Sequence, residues 1–124
     1  VANEVNSPRF KSTTLMAARS GGLPLSATFT SQGGTLVVFA SGSGFRNAGS
    51  GVIGMLMRID GIAMAFSNAF TNETGSHKAF PPSFTTITSI GAGSHTLDLN
   101  ARDVNTLTDF NDFFNVVVLE LPFR

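Results

Sequence analysis

Residues 109–122 read DFNDFFNVVVLELP, and the apolar run within them decides the class of fold. The segment Val116–Leu119 is short and β-branched, which favours a strand over a helix. Neighbouring side chains on a strand point to opposite faces of its sheet. The strand predicted over 113–121 is therefore apolar on both faces, one packed on a partner sheet and the other on something else.

The run Leu36–Ala40 (LVVFA) and the pair Phe113 and Phe114 have the same doubly apolar character. A central strand with an apolar residue or two on the surface explains such runs, because exposed apolar residues are common. The composition favours a subunit interface instead, since charged residues are only 13% of the chain and Phe occurs 12 times. We therefore expect an interface that uses Phe113 or Phe114 with Val116 and Val118.

The other apolar runs are also short, and Gly, Ser, Asn and Pro separate them, which is typical of strands. Asp60-Gly61 between two such runs predicts a tight hairpin. No helix longer than a turn or two is expected, and eight or nine short strands predict a sandwich or jelly roll. The predicted strands cover 9–16, 25–30, 35–41, 52–60, 62–66, 77–80, 84–90, 94–100 and 113–121.

The length of 124 residues predicts a single domain over 1–124, with residues 1–8 as a flexible or interface arm. Lys+Arg and Asp+Glu number 8 each, so a net charge of zero provides no electrostatic footprint for nucleic acid. Cysteine is absent, which excludes disulfides and thiolate metal sites. Residues 20–45 carry no charge, but Gly and Pro interrupt them, so we expect no membrane insertion.

Four blocks and a strand ending in IDG carry a resemblance to a known family. The blocks are GGTLVVFASGSGFR (33–46), FTNETGSHKAF (70–80), GAGSHTLDLNA (91–101) and DFNDFFNVVVLELP (109–122). Together they resemble the bacterial and phage relatives of the tumour-necrosis-factor and complement globular-head jelly roll. The resemblance implies an all-β, two-sheet antiparallel jelly-roll sandwich of about eight to ten strands. It also implies a homotrimer formed through apolar, aromatic faces. The tyrosine that the family often has near its last strand is absent here.

Consecutive antiparallel strands alternate in direction, so their loops alternate between the two ends of a sandwich. The predicted strands place loops 42–51, 67–76 and 91–93 at a first end, and 60–61, 81–83 and 101–112 at a second. The first end mixes donors with acceptors, and loops on a rigid scaffold are where recognition tends to collect. A solvated loop surface without a ligand is the alternative. The candidate ligand-binding residues are Arg46, Asn47, Asn72, Glu73 and His77.

The sequence offers few metal ligands. His77 and His95 both follow loops assigned to the first end, but two histidines without cysteine or a helical spacing do not predict a metal site. The second end carries Asp103, Asp109 and Asp112, whose oxygen atoms suit calcium. This end lacks the ordered calcium-loop motif, and Asp is also an ordinary turn residue. No metal is therefore assigned, and calcium at the acidic end is kept as an alternative.

Catalytic motifs are absent or out of context. Residues 49–54 (GSGVIG) match G-x-G-x-x-G, but they open a strand, so no helix N-terminus faces a phosphate. We therefore expect no enzyme but a trimeric recognition module for a glycan or cell-surface receptor, such as a fibre tip or lectin. The alternative is a structural subunit of a virion, filament or decoration, which the absence of Trp and Tyr favours over a lectin. Either function predicts an extracellular or particle-associated protein.

Overall fold

A computed structural model of the chain describes residues 9–123, so the arm predicted over 1–8 lies outside the described residues. No helix within 9–123 is long and apolar enough to cross a membrane. The described residues form ten strands: β1 (Lys11–Ser20), β2 (Leu25–Ser31), β3 (Leu36–Ser41), β4 (Ser43–Gly44), β5 (Gly51–Ile59), β6 (Ile62–Thr71), β7 (Lys78–Ala79), β8 (Ser83–Ile87), β9 (Gly93–Ala101) and β10 (Phe113–Glu120).

The strands build two four-stranded sheets and one short ribbon. The first sheet has the order β1-β10-β3-β8, and the second has the order β2-β9-β5-β6. All neighbouring strands are antiparallel, and β4 pairs with β7 in the ribbon. Two packed sheets with this strand order form a jelly roll. The all-β jelly-roll sandwich predicted from the sequence is therefore confirmed.

The core lies between the sheets and takes alternate residues from each strand. In β5, for example, Ile53, Met55, Met57 and Ile59 are all buried. Full burial of such a side chain stabilises the fold by about 1.5–3 kcal/mol. Because the period of a strand is two, the residues between them face away from the core.

The predicted hairpin at Asp60-Gly61 is confirmed. Both residues have positive φ, 52° for Asp60 and 80° for Gly61. Positive φ at both central residues is the requirement of a type I′ turn, whose twist matches that of the flanking strands. The turn joins β5 to β6, and Ile59 pairs with Ile62 across it.

One short strand changes which loops lie together. β7 spans only Lys78–Ala79 and pairs with β4, so it does not cross the sandwich as the predicted strand 77–80 would. Because β7 does not cross the sandwich, loops 81–83, 91–93 and 101–112 each lie at the end opposite to the one predicted from the sequence. Loops 42–50, 72–82 and 101–112 share one end, here called the broad end. Loops 32–35, 60–61 and 88–92 share the other, called the narrow end.

The predicted interface residues do not share a face of β10. Phe114, Val116 and Val118 point between the sheets and are 0–3% exposed, so they belong to the core of one chain. Phe113 is 51% exposed and faces outward with Val117. The expected interface is corrected accordingly, because the period of two puts only alternate residues on the outside.

Candidate functional site

The two loops that carry the candidate ligand-binding residues meet at the broad end. The backbone N–H of Gly75 donates to the carbonyl oxygen of Arg46 over 2.6 Å and joins loop 72–77 to loop 42–50. The structure therefore brings the five candidate ligand-binding residues to the same end of the sandwich, and their role in binding stays a prediction. These residues are Arg46, Asn47, Asn72, Glu73 and His77.

Arg46 is half-buried because its side chain folds back over its own loop. Its Nε donates to the carbonyl oxygen of Ala48 over 3.3 Å. A Cβ at Gly51 would lie 3.0 Å from the guanidinium, so the missing side chain leaves room for this packing. Asn47 and Asn72 are exposed, and their amides are open to solvent. Arg46 thus supports loop 42–50, while the amides of Asn47 and Asn72 form accessible polar surface on the two loops.

An exposed ion pair borders loop 72–77. The Nζ of Lys78 donates to Oε1 of Glu73 over 2.6 Å. This hydrogen bond, together with the charge of Lys78, lowers the pKa of Glu73. Exposed pairs contribute little to stability, since solvent screens them. The pair therefore supplies a donor and an acceptor at the surface more than it holds the fold.

His77 is held by a carboxylate that is completely buried. Oδ1 of Asp112 lies 2.8 Å from Nδ1 of His77 and accepts a hydrogen bond from the Ser43 hydroxyl over 2.5 Å. Oδ2 of Asp112 accepts from the backbone N–H of Asp109 over 2.9 Å. The ring of His77 packs on that of Phe45, with centroids 4.4 Å apart. The imidazole is thereby fixed, and its Nε2 lies 3.8 Å from Oδ2 of Asp109.

The acidic residues of loop 101–112 separate into two groups. Oδ1 of Asp103 accepts from the backbone N–H and the hydroxyl of Thr106, and its Oδ2 pairs with Arg102 over 2.6 Å. Asp103 therefore serves its own turn. Asp109 and Asp112 instead group with His77, and one ligand atom from each of the three lies within 4.8 Å of the others. Of the three residues considered for calcium, the structure brings two together.

The second histidine lies at the opposite end of the sandwich, so the two histidines do not converge. Nδ1 of His95 lies 2.6 Å from Oδ2 of Asp60, and Nε2 lies 2.6 Å from the carbonyl oxygen of Gly91. The hydrogen bond between the two side chains raises the pKa of His95 and lowers the pKa of Asp60. This pair connects the 60–61 turn to the start of β9 at the narrow end.

The outer face of the first sheet is apolar over β3, β8 and part of β10, whereas the edge strand β1 contributes polar residues such as Thr14. One row of paired residues runs from Thr14 through Val117 and Phe39 to Phe84. The rings of Phe39 and Phe84 meet edge to face with centroids 4.5 Å apart, and Phe84 is 66% exposed. Beside them lies an open hollow of 250 Å³ whose lining is mostly apolar; it is formed by Phe39, Ala40, Ser41, Pro82, Ser83, Asn115 and Val117.

Sequence reasoning missed three features of these surfaces. Phe84 and Phe39 were predicted to lie in strands, but which face they occupy follows from the pairing of β3 with β8. Phe110 is 79% exposed at the broad end and adds an aromatic ring to the polar loops. The contact of Asp112 with His77 joins residues 35 positions apart, and no local pattern in the sequence marks it.

No family model matches the chain, and no curated protein matches it. Several solved structures have a similar fold. Eiger TNF from S. frugiperda is 10% identical, with 94% of this chain and 95% of that one covered and a TM-score of 0.62. The infectious bursal disease virus VP2 subviral particle is 13% identical over 94% of this chain, with a TM-score of 0.56, and the match spans only 34% of the VP2 chain.

A third structure is the CBM36-1 domain of a multidomain xylanase from the hindgut metagenome of Trinervitermes trinervoides. It is 14% identical, with 88% of this chain and 96% of that one covered and a TM-score of 0.50. At such identities the likeness shows the fold alone. The jelly roll and its likeness to a TNF domain agree with the resemblance stated from the sequence.

Proposed function

We propose that this chain is a non-enzymatic recognition module that assembles as a homotrimer and binds a glycan or cell-surface receptor through its broad end. The observation that carries this proposal is the apolar outer face of the first sheet. It occupies one broad surface of a domain whose polar loops lie at the end. Assembly through the sheet leaves those loops free, and three copies then present three binding sites in the same direction.

The composition of the outer face supports its burial by other copies of the chain. Phe113, Phe84 and Phe39 are 51%, 66% and 38% exposed, and aromatic residues are enriched at protein interfaces. Val117 lies beside Phe39 and extends the apolar row of Phe39 and Phe84 onto β10, while Asn115 separates it from Phe113. A closed assembly would remove these rings from water without using the edge of either sheet.

The experiment for assembly is light scattering after gel filtration at micromolar concentration. The expected mass is three times the 13.0 kDa of the chain. Phe84→Asp or Phe113→Asp should dissociate the assembly, because truncating a central interface anchor costs about 2 kcal/mol or more. Phe66→Asp, at a 61% exposed phenylalanine of the second sheet, is the matched control and should leave the mass unchanged. A monomeric wild-type chain would contradict the proposal.

The broad end supports recognition by offering an aromatic ring beside polar groups. Phe110 can stack on the apolar face of a sugar ring, while Asn47, Asn72 and the Glu73–Lys78 pair can exchange hydrogen bonds with hydroxyls. Each single contact of this kind is weak. Three sites on one particle gain affinity for a repeating glycan without any new contact.

A glycan array or cell-binding assay on the full chain tests the ligand. Asn72→Ala should abolish binding while the free energy of unfolding changes by less than about 0.5 kcal/mol, because its side chain is exposed. Arg46→Ala should weaken binding through the loop on which the Arg46 side chain packs. Phe110→Ala should weaken binding in the same assay. Binding that survives the first two changes but disappears with a chelator would contradict this set of contacts and assign the ligand to a metal held by loop 101–112 of the same end.

The geometry around Ser43 supports a non-enzymatic function. A serine nucleophile needs a base within hydrogen-bond reach of its hydroxyl. The Ser43 hydroxyl donates to Asp112 over 2.5 Å, and Asp112 is also the partner of His77 Nδ1. Serine and histidine thus share one carboxylate instead of contacting each other, which is not the arrangement of a catalytic triad.

A structural subunit of a particle is the second candidate, because a second apolar surface favours it. On the outer face of the second sheet Val52 pairs with Phe70 and Leu56 pairs with Phe66. Phe70 is 65% exposed. Two different exposed apolar surfaces on one chain allow contacts between copies that do not close into a ring. Open filaments or lattices under electron microscopy that Phe66→Asp disperses would favour this function, whereas a closed trimer favours recognition. Under either function we propose that the protein is extracellular or part of a particle.

A further inference from the structure

The group formed by His77, Asp109 and Asp112, here called the broad-end triad, places one imidazole between two carboxylates. A carboxylate can only accept hydrogen bonds, so Nδ1 of His77 is the donor in its 2.8 Å contact with Asp112. In the neutral imidazole, Nε2 then carries a lone pair. The Nε2 atom lies 3.8 Å from Oδ2 of Asp109, which is a second hydrogen-bond acceptor.

Two acceptors at this distance are suited to share a cation. Zinc binds imidazole nitrogen and carboxylate oxygen at about 2.0–2.2 Å, so two such ligand atoms at the tetrahedral angle lie roughly 3.4 Å apart. The separation of 3.8 Å between Nε2 of His77 and Oδ2 of Asp109 exceeds this by a few tenths of an ångström, so binding requires the Asp109 carboxylate to move slightly towards His77. The side chain of Asp109 is 43% exposed, so the space around it is open to solvent and to further ligands.

The surroundings of His77 are those of a metal-binding histidine. Ligating histidines usually donate their other ring N–H to a carboxylate, which fixes the tautomer and the ring orientation. Asp112 is fully buried and supplies this contact, and the ring of Phe45 supports the imidazole from its face. The hydrogen bond that the backbone N–H of Asp109 donates to Oδ2 of Asp112 also sets the position of the second ligand.

We propose that Nε2 of His77 and the carboxylate of Asp109 bind a divalent transition-metal ion at the broad end, with Asp112 as the positioning residue. Zinc is the ion we name, because imidazole ligands suit it and calcium prefers six to eight oxygen atoms. Water or an oxygen of a ligand completes the coordination. This inference goes beyond the proposed function, since it requires neither a trimer nor a glycan.

The other histidine provides an internal comparison. His95 also has an aspartate at Nδ1, but its Nε2 contacts the carbonyl oxygen of Gly91 at 2.6 Å. Both of its ring nitrogens are therefore engaged within the chain. If a histidine beside an aspartate were sufficient for binding, the two sites would behave alike.

The test is calorimetric titration of the full chain with zinc chloride near neutral pH. We expect one zinc per chain, and His77→Gln or Asp109→Asn should weaken the affinity by at least about tenfold. His95→Gln is the matched control and should leave the affinity within about twofold. Circular dichroism on each variant checks that the fold is retained. With cobalt in place of zinc, Asp112→Asn should weaken binding without changing the visible absorption spectrum, because the ligands stay the same.

The opposite results are equally clear. No zinc binding at millimolar metal, or equal affinity in wild type and His77→Gln, would overturn the proposal. Loss of binding in His95→Gln alone would assign the metal to the narrow end. Nitrogen NMR that finds both ring nitrogens of His77 protonated in excess zinc would show an imidazolium between two carboxylates, and that result also overturns it.

Discussion

The two ends of the sandwich contain the same groups and use them differently. Each end joins a histidine to an aspartate 35 residues away through Nδ1. Each also has a buried carboxylate, Asp112 at the broad end and Glu120 at the narrow end. At the broad end the buried carboxylate is itself the partner of the histidine. At the narrow end two different residues are involved: Asp60 contacts the histidine, and Glu120 is the buried carboxylate.

Glu120 at the narrow end is a structural residue. It accepts from the Ser31 hydroxyl over 2.5 Å and from the backbone N–H groups of Gln32 and Gly34. It therefore fixes the turn that leads into β3. Asp60, the partner of His95, lies at the surface instead. A histidine–aspartate contact is therefore structural or a candidate binding site according to the burial of the carboxylate and to what the second ring nitrogen of the histidine contacts.

The largest effect is expected from the buried carboxylate of the broad end. Asp112→Ala leaves the Ser43 hydroxyl, His77 Nδ1 and the Asp109 N–H without their acceptor, and should lower the free energy of unfolding by about 3 kcal/mol. Urea unfolding followed by circular dichroism measures it. Asp60→Ala is the control and should cost clearly less, because Asp60 is exposed. Equal losses would remove the distinction between the two ends.

Glu120 should rank second. Glu120→Ala removes the acceptor for Ser31, Gln32 and Gly34 and should lower the free energy of unfolding by about 2 kcal/mol in the same assay. Glu120→Gln keeps one acceptor oxygen and should lose less. If the alanine variant unfolds with the wild-type midpoint, the turn at 32–35 does not depend on this carboxylate.

The pH dependence of stability should be the smallest effect and should come mainly from the narrow end, because solvent screens the exposed Glu73–Lys78 pair of the broad end. Burial alone would raise the pKa of Glu120, but its hydrogen bonds from Ser31, Gln32 and Gly34 outweigh this and lower it. The pKa of Asp60 is also lowered, and the pKa of His95 is raised. The carboxylates therefore stabilise the fold above their usual range, and that contribution is lost as the pH falls below about 4.

His95 acts in the opposite direction. Its contribution is complete below its usual pKa of about 6.5 and is lost as the pH rises through the higher value of the folded state. Stability should therefore be maximal between about pH 5 and 6.5. Thermal unfolding across the pH range checks this, and His95→Gln should remove the decline on the alkaline side. A decline that persists in His95→Gln would have to come from another group.

Local signals in the sequence were sufficient for the class of fold. Asp60-Gly61 predicted its hairpin because an Asp-Gly pair tolerates the positive φ that a type I′ turn requires. The apolar run Val116–Leu119 predicted a strand with two apolar faces for a similarly local reason. The candidate residues of loops 42–50 and 72–77 were correctly placed together, because the strands between those loops were counted correctly.

The predictions were wrong where the assignment of one short strand determined which distant loops lie together. The two residues of β7 pair with β4 and never cross the sandwich, and that count decides the end at which loop 101–112 lies. For the same reason, Asp112 was expected far from His77 and lies beside it. The face of β10 that is buried was equally undetermined, since both faces are apolar and only the sheet partner distinguishes them.

The amino-acid sequence is sufficient to predict an all-β domain with short strands, a tight hairpin at 60–61 and an apolar last strand. These properties follow from backbone preferences and from the period of a strand, which act over a few residues. The packing of the folded chain is needed to show that Phe114 faces the core while Phe113 faces solvent, and that His77 contacts Asp112. Such contacts join residues that are distant along the chain, and the packing of the two sheets selects them.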